Sequence, residues 1–93
     1  MLVRGPSMAP ALKNDDIVLV RWGARPRAGQ VVLVRWAQRP DQLSVKRASH
    51  EVDGGWYVVG DNPFASTDSE QLGPAEVLGV VKARLWPRPR LRL

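Results

Sequence analysis

The apolar residues of this chain lie in short runs that are rich in valine. Gly, Pro, Asn or Asp separates nearly all of these runs, which is typical of short strands joined by turns. No segment keeps a helical period over ten residues, and the pattern is compatible with one helical turn near 74–77. Six short strands in so small a domain indicate an all-β fold, either a barrel or two packed sheets. The runs predict strands at 1–4, 17–22, 30–36, 42–48, 55–60 and 77–86.

One apolar run is repeated along the chain. The sequence of residues 18–22, Val-Leu-Val-Arg-Trp, recurs at residues 32–36. Two copies are too few for a repeat protein, which needs at least three. We therefore predict two similar buried strands, each of which ends at a Trp, namely Trp22 and Trp36.

The composition excludes several classes of protein. The chain has 93 residues, no Cys and one His, His50. This excludes a disulfide scaffold and a cysteine nucleophile, and it argues against a His-ligated zinc site, so we expect no metal or other cofactor. The longest stretch without a charged residue, 5–12, has eight residues, whereas a membrane-spanning helix needs about 20. We expect a cytoplasmic protein without a membrane anchor in this chain.

The positive charge is concentrated at the end of the chain. The net charge is +5, and the last twelve residues contain five basic residues and no acid. Residues 1–81 therefore carry nine basic and nine acidic groups. We predict a domain at 1–87 and a basic tail at 88–93, which is either solvated or docks to an acidic partner, membrane headgroups or nucleic acid.

The first candidate for chemistry is Ser7. It lies in Gly-Pro-Ser-Met-Ala-Pro at 5–10, just before the run of residues 15–20. Because Pro lacks an N–H group and fixes φ, this backbone is stiff and irregular. A nucleophile needs such fixed placement, although an ordinary Ser in a Pro-rich turn would give the same pattern.

The second candidate is Lys46. In the predicted strand, alternation places Lys46 on one face with the small residues Ser44 and Ala48, and Arg47 on the other face. Burial in a cleft would lower the pKa of Lys46 and allow it to act as a base. The alternative is an exposed Lys on an edge strand.

The third candidate is a polar loop at 60–69, Gly-Asp-Asn-Pro-Phe-Ala-Ser-Thr-Asp-Ser. Asp, Asn and Ser form turns through their own backbone, so a structural role suffices for most of it. The loop would also suit the bracing of an active site. His50 falls in an apparent exposed hairpin loop, so we do not expect a Ser–His–Asp triad.

These three segments, in this order, resemble the sequence motifs of the Ser–Lys peptidases of the signal peptidase I family. The resemblance covers nearly the whole chain and implies a small signal-peptidase-like β-barrel that acts as a serine endopeptidase on a protein substrate. It implies that Ser7 is the nucleophile and that its N–H group donates to the oxyanion. It further implies that Lys46 is the general base.

The resemblance also implies four supporting residues. Ser66 would orient Lys46, and Asp68 would pair with Arg47. Met8 would pack beneath the nucleophile. Gly5 stands where many relatives carry a hydroxyl group, so a backbone group or a water molecule would have to complete the oxyanion hole.

The small size of the chain restricts which members of this family it resembles. As a compact member without a membrane anchor, this chain most resembles the proteases that remove an N-terminal extension from nickel-type superoxide dismutase precursors. One alternative is a soluble fragment of an anchored signal peptidase I, although a Met so close to Ser7 argues against it. Another is a non-catalytic β-barrel that binds nucleic acid, a partner that we do not expect. The self-cleaving repressors, also Ser–Lys enzymes, carry their cleavage site on an N-terminal arm, and here six residues precede Ser7.

Overall fold

The fold was obtained as a computed structural model that describes residues 1–5, 7–9, 11–62, 67–91 and 93. The described residues form five strands and one short helix, and the all-β class predicted from the sequence is confirmed. Alternating, valine-rich runs form the strands, and Gly or Pro lies in most of the turns between them. The elements are β1 (Ile17–Trp22), β2 (Val31–Trp36), β3 (Arg39–Val52), β4 (Gly55–Val59), α1 (Ser69–Leu72) and β5 (Glu76–Trp86).

All five strands belong to one antiparallel sheet with the order β1-β5-β2-β3-β4. Short turns join β2 to β3 and β3 to β4, so these strands form two successive hairpins. The last strand, β5, lies between β1 and β2. In the described part of the chain the sheet is open, with β1 and β4 at its edges.

The structure differs from the predicted elements at three places, one of which is β3, where the observed strand is Arg39–Val52 and the predicted one was 42–48. The first predicted strand, 1–4, makes a single bridge between Leu2 and Ile17. The helical turn lies at Ser69–Leu72 rather than at 74–77. It starts there because the Asp68 side chain accepts from the Glu70 N–H group while the Gln71 side chain accepts from the Asp68 N–H group, a capping box.

Apolar side chains cover both faces of the sheet. Strand β2 contributes to both clusters, because it is a central strand whose two faces are covered. One cluster joins the segment before β1 to the sheet and contains Val3, Met8, Leu12, Val18, Val31, Leu33, Val45 and Val81. The other contains Val32, Val34, Trp36, Ala48, Val58, Ala75 and Val80.

The two repeated runs have different environments. In β2, Val34 is fully buried and Trp36 is 2% exposed. In β1, Val18 is buried, but Leu19 is 51% exposed and Trp22 is 62% exposed. The prediction of a buried strand was therefore wrong for β1, which is an edge strand with one covered face.

The first residues of the chain run beside the start of β1. The Val3 N–H group donates to the Asp16 carbonyl and the Asp15 N–H group donates to the Val3 carbonyl, both at 2.8 Å. The Val18 N–H group donates to the Met1 carbonyl at 2.8 Å. These bonds fix the direction in which the chain enters the segment that carries Ser7.

The basic C-terminal segment folds back onto the sheet. Arg84 and Arg90 exchange two backbone hydrogen bonds of 2.8 and 2.9 Å, and Leu93 packs against the first cluster. Arg88 and Arg90 are exposed, as expected of a basic tail, but the backbone is held rather than freely solvated. The boundary at residue 87 stays a prediction. Within the described ranges, no helix has the length and apolar character needed to cross a membrane.

Candidate active site

Ser7 lies in a turn that is held on both sides. Before it, Gly5 has a φ of +84° and its N–H group donates to Asn14 Oδ1 at 2.8 Å. After it, Met8 is 1% exposed in the first cluster, and its carbonyl accepts from the Leu12 N–H group. The buried Met8 thus anchors the turn, and its packing beneath the nucleophile stays a prediction.

The backbone explains the glycine at position 5. A positive φ of 84° is accessible to Gly at no steric cost, whereas other residues lose roughly 1–2 kcal/mol there. A hydroxyl residue at this position would strain the turn. That the Ser7 N–H group donates to the oxyanion, and that a backbone group or a water molecule is the further donor, both stay predictions.

The polar loop contacts the backbone of the candidate nucleophile directly. The Asn62 N–H group donates to the Ser7 carbonyl at 2.8 Å. This bond fixes the orientation of the peptide group that follows Ser7. The loop after β4 therefore takes part in positioning Ser7, which gives it the bracing role that the sequence suggested.

Lys46 is buried on β3. It is 4% exposed and lies opposite Val32 of β2, with Ala48 buried two residues further along the same strand. Removal of its ammonium group from water lowers the pKa of Lys46 below the ordinary lysine value. The alternative of an exposed Lys on an edge strand is therefore wrong.

Asp68 acts on Lys46 in the opposite sense. Its carboxylate raises the pKa of Lys46, but burial is the larger effect and the net shift is downward. Asp68 also caps α1 by accepting from the Glu70 N–H group at 3.0 Å. The carboxylate is thereby held by the start of the helix.

Ser7 and Lys46 line one groove with a volume of ≈ 480 Å³. The first residues of the chain form one wall of this groove, and the first half of β3 forms another. Thr67, next to Asp68, also lines it. The structure thus brings together the two candidate catalytic residues, which lie 39 positions apart in the sequence.

The expected pairing of Arg47 with Asp68 is wrong. Arg47 instead donates to both carboxylate oxygens of Asp61, at 3.2 and 2.5 Å. Its guanidinium group also donates to the carbonyls of Gly29 and Leu93. The reason is the register of the sheet: Arg47 lies opposite Val59, so the chain that leaves β4 carries Asp61 past it, whereas Asp68 belongs to the start of α1.

A comparison with protein families matches residues 1–82 to the family described as Peptidase S24-like. The chain belongs to the S24-like peptidases. The match covers Ser7, Lys46 and the whole polar loop, and it confirms the expectation of a peptidase. The finer resemblance to the signal peptidase I family stays a prediction. A search of curated proteins found no match.

Two further residues that the sequence of this S24-like peptidase singled out are Ser66 and His50. Ser66, expected to orient Lys46, falls outside the described residues. His50 is in β3 rather than in a hairpin loop; it is exposed, stacks on Tyr57 and contacts Ser49 Oγ at 2.9 Å through Nδ1. The expectation of no His-based triad stays a prediction.

Sequence reasoning assigned no role to three residues that position the site. The Asn14 side chain accepts a hydrogen bond from the Gly5 N–H group. The Asn62 N–H group donates to the Ser7 carbonyl. The Asp61 carboxylate accepts from the Arg47 guanidinium group. Asp61 is recognised only from the register of β3 and β4, because it lies two residues after Val59, the partner of Arg47. Asn62 contacts Ser7 through its backbone N–H group, so its side-chain type does not predict the contact. In the described ranges, no group of three or more potential metal ligands is present.

Proposed function

We propose that this S24-like peptidase is a serine endopeptidase in which Ser7 is the nucleophile and Lys46 is the general base. The observation that carries the proposal is the burial of Lys46, with a lowered pKa, in the groove that Ser7 also lines. A protonated ammonium group cannot accept a proton. A lysine with the ordinary pKa of about 10.4 would be neutral in roughly one molecule in 2,500 at pH 7.

In the proposed mechanism Lys46 moves each proton of the reaction. Neutral Lys46 Nζ takes the proton of Ser7 Oγ as this oxygen attacks the carbonyl carbon of the scissile peptide bond. The resulting ammonium group returns a proton to the leaving amine nitrogen when the C–N bond breaks. Lys46 then takes a proton from the water molecule that attacks the Ser7 ester, and Ser7 Oγ leaves as the hydroxyl group.

The edge of β3 offers a place for an extended substrate. On one side β3 pairs with β2, and on the other side β4 pairs with residues 47–52. Among the described residues, the first half of β3 therefore has no partner on that second side, and this half lines the groove. We propose that the substrate adds a strand here, with its backbone bonded to β3 and its scissile carbonyl at Ser7.

For the substrate we propose the N-terminal extension of a nickel-type superoxide dismutase precursor. The support is the resemblance of the segments 5–10, 46–47 and 60–69 to the maturation proteases of these enzymes. A cytoplasmic location, expected from the sequence, is part of the same proposal.

The test is incubation of the purified protein with such a precursor, followed by mass spectrometry of the product. We expect loss of an N-terminal peptide with the wild-type chain. Ser7→Ala should lower the rate by ~10³-fold or more, and Lys46→Arg should be as inactive as Lys46→Met, because a guanidinium group does not deprotonate. Ser49→Ala and Lys13→Arg, which change exposed residues outside the groove, should retain the wild-type rate.

The outcomes separate the two parts of the proposal. Processing by Ser7→Ala, or substantial activity of Lys46→Arg, would contradict the Ser7–Lys46 mechanism. An intact precursor after incubation with the wild-type chain would contradict the assignment of the substrate.

A further inference from the structure

A second cleft, with a volume of ≈ 610 Å³, lies beside the connection between β1 and β2. It shares no lining residue with the groove of Ser7. No acidic side chain lines it, but four cationic side chains do: Arg21, Arg25, Arg27 and Lys82. We refer to these four residues as the basic cleft.

Within the described part of the chain, no carboxylate pairs with the cations of the basic cleft. Elsewhere Arg35, Arg47 and Arg84 each form an ion pair with a carboxylate. For the four cleft residues, no hydrogen bond or ion pair of the side chain is found with any described residue. All four are exposed, so the cleft is open to an anionic partner.

The loop that carries the cleft is held in place at both ends. The Gly23 N–H group donates to the Leu78 carbonyl of β5 at 2.9 Å, and the Ala48 N–H group of β3 donates to the Gln30 carbonyl at 2.8 Å. Between them, the Arg27 N–H group donates to Gln30 Oε1 at 2.8 Å. The backbone that carries Arg25 and Arg27 therefore needs little ordering on binding, which lowers the entropic cost of binding.

We propose that the basic cleft binds an acidic stretch of the protein substrate, away from the residues at the scissile bond; this inference rests on the proposed function. Guanidinium groups match carboxylates in charge and in bidentate geometry. The exposed Trp22 adds an apolar wall against which the stems of Glu side chains can pack.

The position of the basic cleft suits a bound polypeptide. Gln30, which lines the cleft, is bonded to Ala48, two residues beyond Lys46 on β3. Two strand residues span about 7 Å, so the cleft adjoins the strand that carries the base. The cleft lies on the β2 side of β3 and the open edge of β3 lies on the other side, so an acidic stretch in the cleft lies away from the residues at the scissile bond.

A nucleic acid fits the basic cleft less well. Single-stranded nucleic acids are held along several nucleotides by successive aromatic platforms beside a basic groove. Trp22 is the one aromatic side chain among the described lining residues of the cleft. The family assignment also supports a polypeptide ligand.

The test measures binding of fluorescein-labelled octaglutamate by fluorescence anisotropy at 50 mM NaCl. The full chain carries Ser7→Ala, so that binding is read without cleavage. Two variants remove the cleft charges in pairs, R25Q/R27Q and R21Q/K82Q, and K13Q/R90Q is the matched control with the same change in net charge. Circular dichroism checks the fold of each variant, and either cleft pair suffices if the other fails to fold.

We expect each cleft pair to weaken octaglutamate binding by about fivefold or more, and the control to change it less than about twofold. An uncharged Gly-Ser octapeptide should not bind, and 200 mM NaCl should weaken binding of octaglutamate. Equal binding by the cleft variants and the control would overturn the proposal. Tighter binding of a labelled twelve-residue oligothymidylate, lost in the cleft variants, would reassign the cleft to nucleic acid. A failure of the Ser7–Lys46 mechanism would appear in the cleavage assay and leave this binding result unchanged.

Discussion

At the scale of single residues, the environment of Lys46 determines whether the site can work. The side chain is 4% exposed, and its burial outweighs the nearby Asp68 carboxylate in setting the direction of its pKa shift. Burial of a lysine usually costs stability, because the charged form loses its hydration. Here the same burial lowers the pKa of Lys46, so its amine becomes neutral at a lower pH than the amine of an exposed lysine does.

Asp68→Asn tests this balance of effects. Because the Asp68 carboxylate raises the pKa of Lys46, its removal should lower that pKa further. The neutral fraction of Lys46 then rises at any given pH, and the rising limb of kcat/KM against pH should move to lower pH. Asn is as good a helix cap as Asp, so α1 should be retained.

The matched control is Glu70→Gln, two residues further along and equal in charge change. Its rising limb should coincide with that of the wild type. The rise of kcat/KM with pH could stay at the wild-type pH in Asp68→Asn, or it could move equally in both variants. Either result would show that Lys46 does not control the pH dependence of kcat/KM.

At the scale of elements, Arg47 ties three parts of the chain together. It lies next to Lys46 on β3 and binds Asp61 beyond β4, and the neighbouring Asn62 N–H group binds the Ser7 carbonyl. The side chains of Arg47 and Asp61 are both 22% exposed, so their pair is partly screened. The adjacent residues 46 and 47 thus supply the proposed base on one face of the strand and the anchor of the loop on the other.

A double-mutant cycle with Arg47→Met and Asp61→Asn measures this anchor. Each single variant should lower the free energy of unfolding by about 1–3 kcal/mol, because it leaves a charged partner without its hydrogen bonds. The double variant should cost clearly less than the sum, and all three should lower kcat more than they raise KM. Additive losses of stability would contradict the pairing of these two residues.

The C-terminal segment gives a second prediction at this scale. Removal of residues 88–93 eliminates the two bonds between Arg84 and Arg90, the packing of Leu93 and its bond to Arg47. We expect a loss of about 1–3 kcal/mol in urea unfolding. The control R88Q/R90Q keeps the backbone and should unfold as the wild type does. An unchanged unfolding midpoint after truncation would show that the segment is solvated.

At the scale of the whole molecule, the sequence predicted the class of fold and both candidate catalytic residues. Valine-rich runs and turn residues located four of the five strands within a few residues, because these signals are local. The pairing partner of Arg47 and the exposure of Trp22 were not predictable in this way. Both depend on which strands are neighbours: β1 is an edge strand, and β4 carries Asp61 past Arg47.

The central claim is that the folded chain holds Lys46 as an amine whose pKa is lowered from the ordinary lysine value by burial. The most direct measurement is a pH titration of the Lys46 side-chain ¹³Cε resonance in the folded protein, with the urea-unfolded chain as reference. We predict that the midpoint in the folded protein lies below that in the unfolded chain. The unfolded midpoint should be about 10.4. A folded-state midpoint equal to or above the unfolded value would contradict Lys46 as the base.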